Sequence, residues 1–106
     1  MVGITELKAY HQLNLKALEI HRKWDELDAR ELLPLAALLK ESAQPLIALG
    51  GEDWDRKKDL SRHLSCLESY LRDDSKDRCW SDIKDLIYAD LPALGSRLLI
   101  LADASR

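Results

Sequence analysis

Leu32–Leu49 reads LLPLAALLKESAQPLIAL, and fourteen of these eighteen residues are Leu, Ala, Ile or Pro. The polar interruption is confined to Lys40, Glu41, Ser42 and Gln44. A helix that is apolar nearly all round belongs in the middle of a fold, with other helices laid against several of its sides. In a chain of 106 residues no other stretch can fill that role. Pro34 and Pro45 interrupt it, so the stretch reads as one kinked helix or two short ones, ended by Gly50-Gly51.

Composition agrees with an all-α fold. The chain holds 22 Leu and 11 Ala against 6 Ile, 1 Val and no Phe. Leu and Ala favour helices, whereas β-branched and aromatic residues favour strands. Four Gly and three Pro leave little turn material for a sheet of many strands. The length suits one domain over residues 1–106, with a single modest core. We expect a bundle of four to six helices around a kinked, Leu-rich central helix.

Outward from the centre, a first helix is expected from Thr5, acting as cap, to about Asp28. Its stripe is Ala9, Tyr10, Leu13, Ala17, Ile20, Trp24 and Leu27. Asp28 and Glu31 have the spacing of a capping box that restarts the chain after a corner. Beyond the glycines, Asp53 is the expected cap of a third helix, from Trp54 to about Arg72, with the seam Leu60, Leu64, Leu67 and Leu71. Asp73-Asp74-Ser75 is a short link, so the third and fourth helices should form an antiparallel hairpin. The fourth helix has the expected seam Trp80, Ile83, Ile87 and Leu91, flanked by Cys79 and Leu86. Asp90-Leu91-Pro92 reads as a last corner, with Asp90 capping a helix that turns Leu94, Leu98 and Leu101 inward.

Charge and cysteine content bound the function. The net charge of -3 and pI of about 5.6 give no global basic field to gather nucleic acid or anionic lipid. The N-terminal residues lack the apolar core of a secretory signal. No apolar run approaches the roughly 20 residues that cross a bilayer. Two cysteines without such a signal suit reduced thiols and a cytoplasmic protein. His63, Cys66 and Cys79 supply three potential zinc ligands where structural zinc wants four, so neither metal nor another cofactor is expected.

Arg56 and His63 are seven positions apart, on one side of the third helix. The pair resembles the Arg-x4-6-His motif of HEPN-type helical bundles, whose members include ribonucleases of bacterial toxin and defence systems. That resemblance implies that Arg56 and His63 face their counterparts across a dimer and assist RNA cleavage. The chain departs from the motif at Lys57, where the family usually carries Asn, His or Asp. The basic cluster Arg56, Lys57, Lys58, Arg62 and His63 is interleaved with Asp53, Asp55 and Asp59, which can neutralise it along the helix.

The remaining signal is a surplus of apolar side chains. Leu, Ala, Ile, Val, Trp and Tyr together number 46, more than a small five-helix core takes in. Leu15, Leu99 and Ile100 stand off the seams, as do Val2 and Ile4. Trp54, just after Gly-Gly, is the tryptophan expected to be partly exposed. Surplus apolar surface marks partner interfaces. The reading is a non-catalytic helical interaction module, an adaptor or small subunit, with Leu15, Trp54, Leu99 and Ile100 as interface candidates. Its partner is another protein or a second copy. The HEPN-like bundle is the alternative, with Arg56 and His63 as its catalytic candidates.

Overall fold

A computed structural model describes residues 2–104. All of its regular structure is helical, in the order α1 (Ile4–Arg22), α2 (Ala29–Gly50), α3 (Lys57–Arg72), a 3-10 turn (Lys76–Cys79), α4 (Trp80–Asp85), a π-helical turn (Leu86–Asp90) and α5 (Leu91–Ala104). The last three run on without a break, so the bundle consists of four helical rods. Its principal extents are 45 × 23 × 19 Å.

α1 begins one residue before Thr5 and ends at Arg22, short of the expected Asp28. Its cap is made from below: Glu6 Oε1 accepts from the Gly3 amide at 2.8 Å, and Thr5 lies inside the helix. Residues 23–27 then turn the chain. The Asp28–Glu31 capping box forms as read. Asp28 Oδ1 accepts from the Glu31 amide at 2.9 Å, and Glu31 Oε1 accepts from the Asp28 amide at 3.2 Å.

α2 is a single helix of 22 residues with both prolines inside it. Its buried residues are Ala29, Leu32, Ala36, Leu39, Ala43, Leu46, Ile47 and Gly50, a three-four spacing that marks one stripe rather than the whole circumference. Pro34 and Pro45 lie on the exposed side. Each proline deprives the carbonyl four residues earlier of its donor. Those carbonyls belong to Arg30 and Glu41, both exposed residues that water can reach. Placed so, the prolines do not divide the helix. The unbroken α2 is by length and composition long enough to cross a membrane. In this fold its apolar stripe is instead covered by α1, α3 and α5.

Gly51, at φ 94°, stops α2 as the glycine pair implies. α3 starts three residues later than expected, with Arg56 rather than Asp53 before its first turn. Asp53 instead meets Arg97 at 3.6 Å, and Arg97 Nε donates to the Gly50 carbonyl at 2.9 Å, tying α5 to the end of α2. The α3 seam is as read, since Leu60, Leu64, Leu67 and Leu71 are all buried.

The fourth rod departs furthest from expectation. There is no corner at Asp90-Leu91-Pro92. The Leu91 amide donates to the carbonyl of Leu86, five residues back, which widens the helix by one residue just before Pro92. Pro92 has no amide to continue an α-helical ladder, and a widened turn is one way for a helix to pass such a residue. The extra residue turns both Asp90 and Leu91 inward, and both are fully buried. Trp80, expected in the seam, is 37% exposed, while Cys79, Ile83 and Leu86 occupy the core. α1 packs against this rod through Tyr10, whose hydroxyl donates to the Leu91 carbonyl at 2.6 Å. Gly95 makes room for the ring: a Cβ there would lie 2.6 Å from Tyr10 Cζ.

Candidate functional site

Arg56 precedes α3 and His63 lies two turns along it, so both reach the same side of the helix, as their spacing requires. The π-helical turn presents Asp90 to that side. Arg56 Nη2 meets Asp90 Oδ1 at 3.1 Å, and His63 Nδ1 bonds Asp90 Oδ2. The Asp90 side chain is 1% exposed and that of His63 is 15% exposed. A carboxylate this deep is stable only when paired and hydrogen-bonded, and Arg56 at the head of α3 and His63 within it each engage one of its oxygens.

With Nδ1 taken by Asp90, the other imidazole nitrogen faces outward. His63 Nε2 lies 3.6 Å from Asp85 Oδ2, on a well-exposed carboxylate. Nearby, burial pushes the carboxyl of Asp82 above its ordinary 3.8. The charge of Asp85 acts in the same direction, while His63 and Arg62 pull it back. Arg56 Nε is buried without a hydrogen-bond partner, so this guanidinium is engaged through its terminal nitrogen only. The arrangement holds an imidazole in one orientation beside a guanidinium. It can present Nε2 as a proton acceptor or donor to a group arriving from solvent.

Two more members of the basic cluster are paired locally. Arg62 pairs with Asp59 at 3.3 Å and Lys57 with Glu52 at 2.6 Å. Cys66 and Cys79 are free thiols, and burial, reinforced by Asp82, raises Cys79 to about 11. Among the described residues no three His, Cys, Asp or Glu side chains are placed together to hold a metal ion.

Of the interface candidates, Leu15, Leu99 and Ile100 are exposed. Trp54 is not. Its ring is buried against Gly50, where a Cβ would come within 3.1 Å of Cε3, and it offers no broad apolar surface. Val2 is also buried, whereas Ile4 is exposed. Comparison with protein-family models, curated protein sequences and solved structures finds no match to this chain.

Two features had no clear mark in the sequence. Asp90 read as a helix cap, because Asp before Leu-Pro is common turn chemistry and a widened helical turn has no distinctive residue pattern. The second is an aromatic group joining α1 to the fourth rod. His21 stacks on Trp80 with centroids 5.1 Å apart, Trp24 lies 5.4 Å from Trp80, and Tyr88 meets His21 edge-on at 6.4 Å. Lys76 and Lys84 sit over Trp24 and Trp80 at 5.7 and 5.9 Å. Spacing alone had marked Trp80 and Trp24 as core; the one-residue offset from Cys79 puts Trp80 at the edge.

Proposed function

We propose that this chain is a small helical protein–protein interaction module of the cytoplasm, an adaptor, recruitment domain or small subunit without catalytic activity of its own. The observation that supports it is the exposed apolar surface. Ile4, Leu15, Leu18, Leu38, Trp80, Tyr88, Leu99 and Ile100 all stand in solvent. Apolar side chains left outside the core of a small domain supply surface for partner contacts. The supporting frame has α2 bending at its prolines and α3 running antiparallel to α4, an arrangement consistent with the reach of His63 to both Asp85 and Asp90.

The test is affinity purification of the full chain from the cells that encode it, after mild cross-linking. Wild type is compared with Leu15→Glu and with Leu99→Glu/Ile100→Glu. The expected result is one protein recovered in stoichiometric amount, a second copy or another chain, and reduced at least about tenfold by one of these surface changes. Recovery of no stoichiometric protein by wild type contradicts the reading.

A second reading is an HEPN-like RNA-binding or ribonuclease bundle, favoured by the meeting of Arg56 and His63 on Asp90. An RNA degradation assay on wild type and His63→Ala separates it from the first. Cleavage that disappears in the variant supports it, and equal degradation by both proteins rejects it.

A further inference from the structure

The large apolar side chains left in solvent are unevenly placed. Ile4, Leu15 and Leu18 belong to α1, and Trp80 and Tyr88 to the part of the fourth rod that lies beside its C-terminal end. Positions 4, 8, 15 and 22 are close to whole turns apart. Ile4, Lys8, Leu15 and Arg22 therefore form one row along the outside of α1, with His11 and Leu18 beside it. At the end of that row the face continues across His21, which stacks on Trp80 and meets Tyr88 edge-on, to Lys84 over the Trp80 ring.

The charges on this face have one sign. Every exposed ionisable side chain of α1 is basic, namely Lys8, His11 and Arg22. Its two carboxylates are less exposed and already engaged, Glu6 by the Gly3 amide and Glu19 by Lys23 at 2.9 Å. The acids of α4 are turned to another side, since Asp85 lies 3.6 Å from His63 of α3 and Asp82 feels the charges of His63 and Arg62. Exposed carboxylates return after Arg22 and before Trp80, at Asp25, Glu26 and Asp77. On a chain of net charge -3, a basic and apolar strip of this length is a local exception.

This combination selects an occupant. A second copy related by a two-fold axis would bring cations against cations. The phosphates of a nucleic acid would pair with Lys8 and Arg22 but leave Ile4, Leu15 and Leu18 uncovered. A helix lying in a lipid surface keeps its cations on one side and its apolar residues on the other, whereas here both stand in one row. An acidic amphipathic helix meets both demands, with apolar residues at helical spacing on Ile4, Leu15 and Leu18 and carboxylates opposite Lys8 and Arg22. We infer that the outer face of α1, extended by Trp80, Lys84 and Tyr88, is the docking surface for an acidic amphipathic helix of a partner protein. α1 is about 28 Å long and fits a helix of about five turns. The inference rests on the interaction-module reading and names the chemistry of the partner.

Fluorescence anisotropy with two labelled helical peptides tests it. Both repeat Leu at the i, i+3, i+4 and i+7 spacing over about 18 residues, one with Glu and the other with Lys at the flanking positions. The Glu peptide should bind wild type with a Kd on the order of 10–100 µM in about 50 mM salt. Its binding should weaken as salt rises to about 500 mM, and the Lys peptide should bind at least about tenfold more weakly. Lys8→Glu/Arg22→Glu should reverse the preference and take up the Lys peptide, a gain that a misfolded variant cannot give. Leu15→Ala/Leu18→Ala should lose at least about tenfold in affinity for the Glu peptide, and Leu99→Glu/Ile100→Glu should bind it as wild type does. No binding of the Glu peptide at about 1 mM overturns the inference, as does equal binding of the two peptides or an unchanged preference in the charge-reversed variant. Tighter binding of wild type to a uridine oligonucleotide or to vesicles of anionic phospholipid than to the Glu peptide also overturns it. If the Glu peptide fails while wild type retrieves a partner that Leu99→Glu/Ile100→Glu loses, the α1 assignment falls and the interaction module stands. If no partner is retrieved either, both fall.

Discussion

His63 and Asp90, 27 residues apart in sequence, meet with the imidazole Nδ1 against Oδ2 of a carboxylate sealed from solvent. Asp90 has one other partner, Arg56, and that side chain is itself partly exposed. The inner end of this cluster depends on His63. His63→Ala should therefore lower stability by about 3 kcal/mol, the cost of leaving a buried charge short of a partner. Replacing both residues together, as His63→Leu/Asp90→Leu, should recover part of that loss, because the buried carboxylate is gone and Arg56, with a side chain 39% exposed, can turn to solvent. Chemical denaturation of the three proteins checks this. A single variant as stable as wild type would mean that Asp90 is not buried as described.

Tyr10 and Gly95 make a second contact of this kind, between α1 and α5. A methyl group at position 95 would enter the space of the Tyr10 ring, and the ring is anchored by its bond to Leu91. Gly95→Ala should cost about 1–3 kcal/mol by overpacking, although alanine is the better helix former. Tyr10→Phe should cost about 1 kcal/mol, the hydrogen bond alone. Thermal melts of the two variants decide it. Stabilisation by Gly95→Ala would place the tyrosine elsewhere.

The continuity of α2 through its prolines has a measurable consequence. Pro45 is exposed, and Ala in its place would restore an amide for the Glu41 carbonyl without disturbing the core. Pro45→Ala should raise stability by about 1–3 kcal/mol, as removal of proline from a helix interior does. If residue 45 were instead the first turn of a separate helix, the substitution would be neutral or unfavourable, because proline suits that position. Denaturant midpoints distinguish the two.

Asp82 gives a pH dependence with a definite sign. Burial raises its folded-state carboxyl above the ordinary 3.8, so between the unfolded and folded values the folded chain binds more protons. Stability from this group is present below 3.8 and is lost as pH rises through the folded value. Asp82→Asn removes the loss. The variant should melt at a higher temperature than wild type at pH 7, and the gap should close as pH falls towards 4. A gap that widens in acid would reverse the assignment.

The parts of the fold legible in the sequence were those fixed by local chemistry. The Asp28–Glu31 box needs only its own spacing, Gly50-Gly51 ends a helix through backbone freedom, and the Leu60–Leu71 seam is an unmixed period. The misread parts depended on where a residue faces. Of the two readings of Pro34 and Pro45, one kinked helix or two short ones, the single helix α2 excludes the second, because both prolines lie on its exposed side. Asp90 and Pro92 have the residue types of a corner, but the widened turn turns the aspartate inward onto Arg56 and His63. Their shared side was evident from the seven-residue spacing; the carboxylate that joins them was not. Trp54 followed two glycines and seemed exposed, yet Gly50 is the surface it packs on.

The burial of α2's apolar stripe against α1, α3 and α5 holds the bundle together, and residue-resolved hydrogen exchange on the free chain measures it directly. Amides from Leu35 to Ala43 should be among the slowest in the protein and should exchange only through global unfolding. Exchange in that segment as fast as at the ends of α1 would contradict both the bundle and the function drawn from its surface.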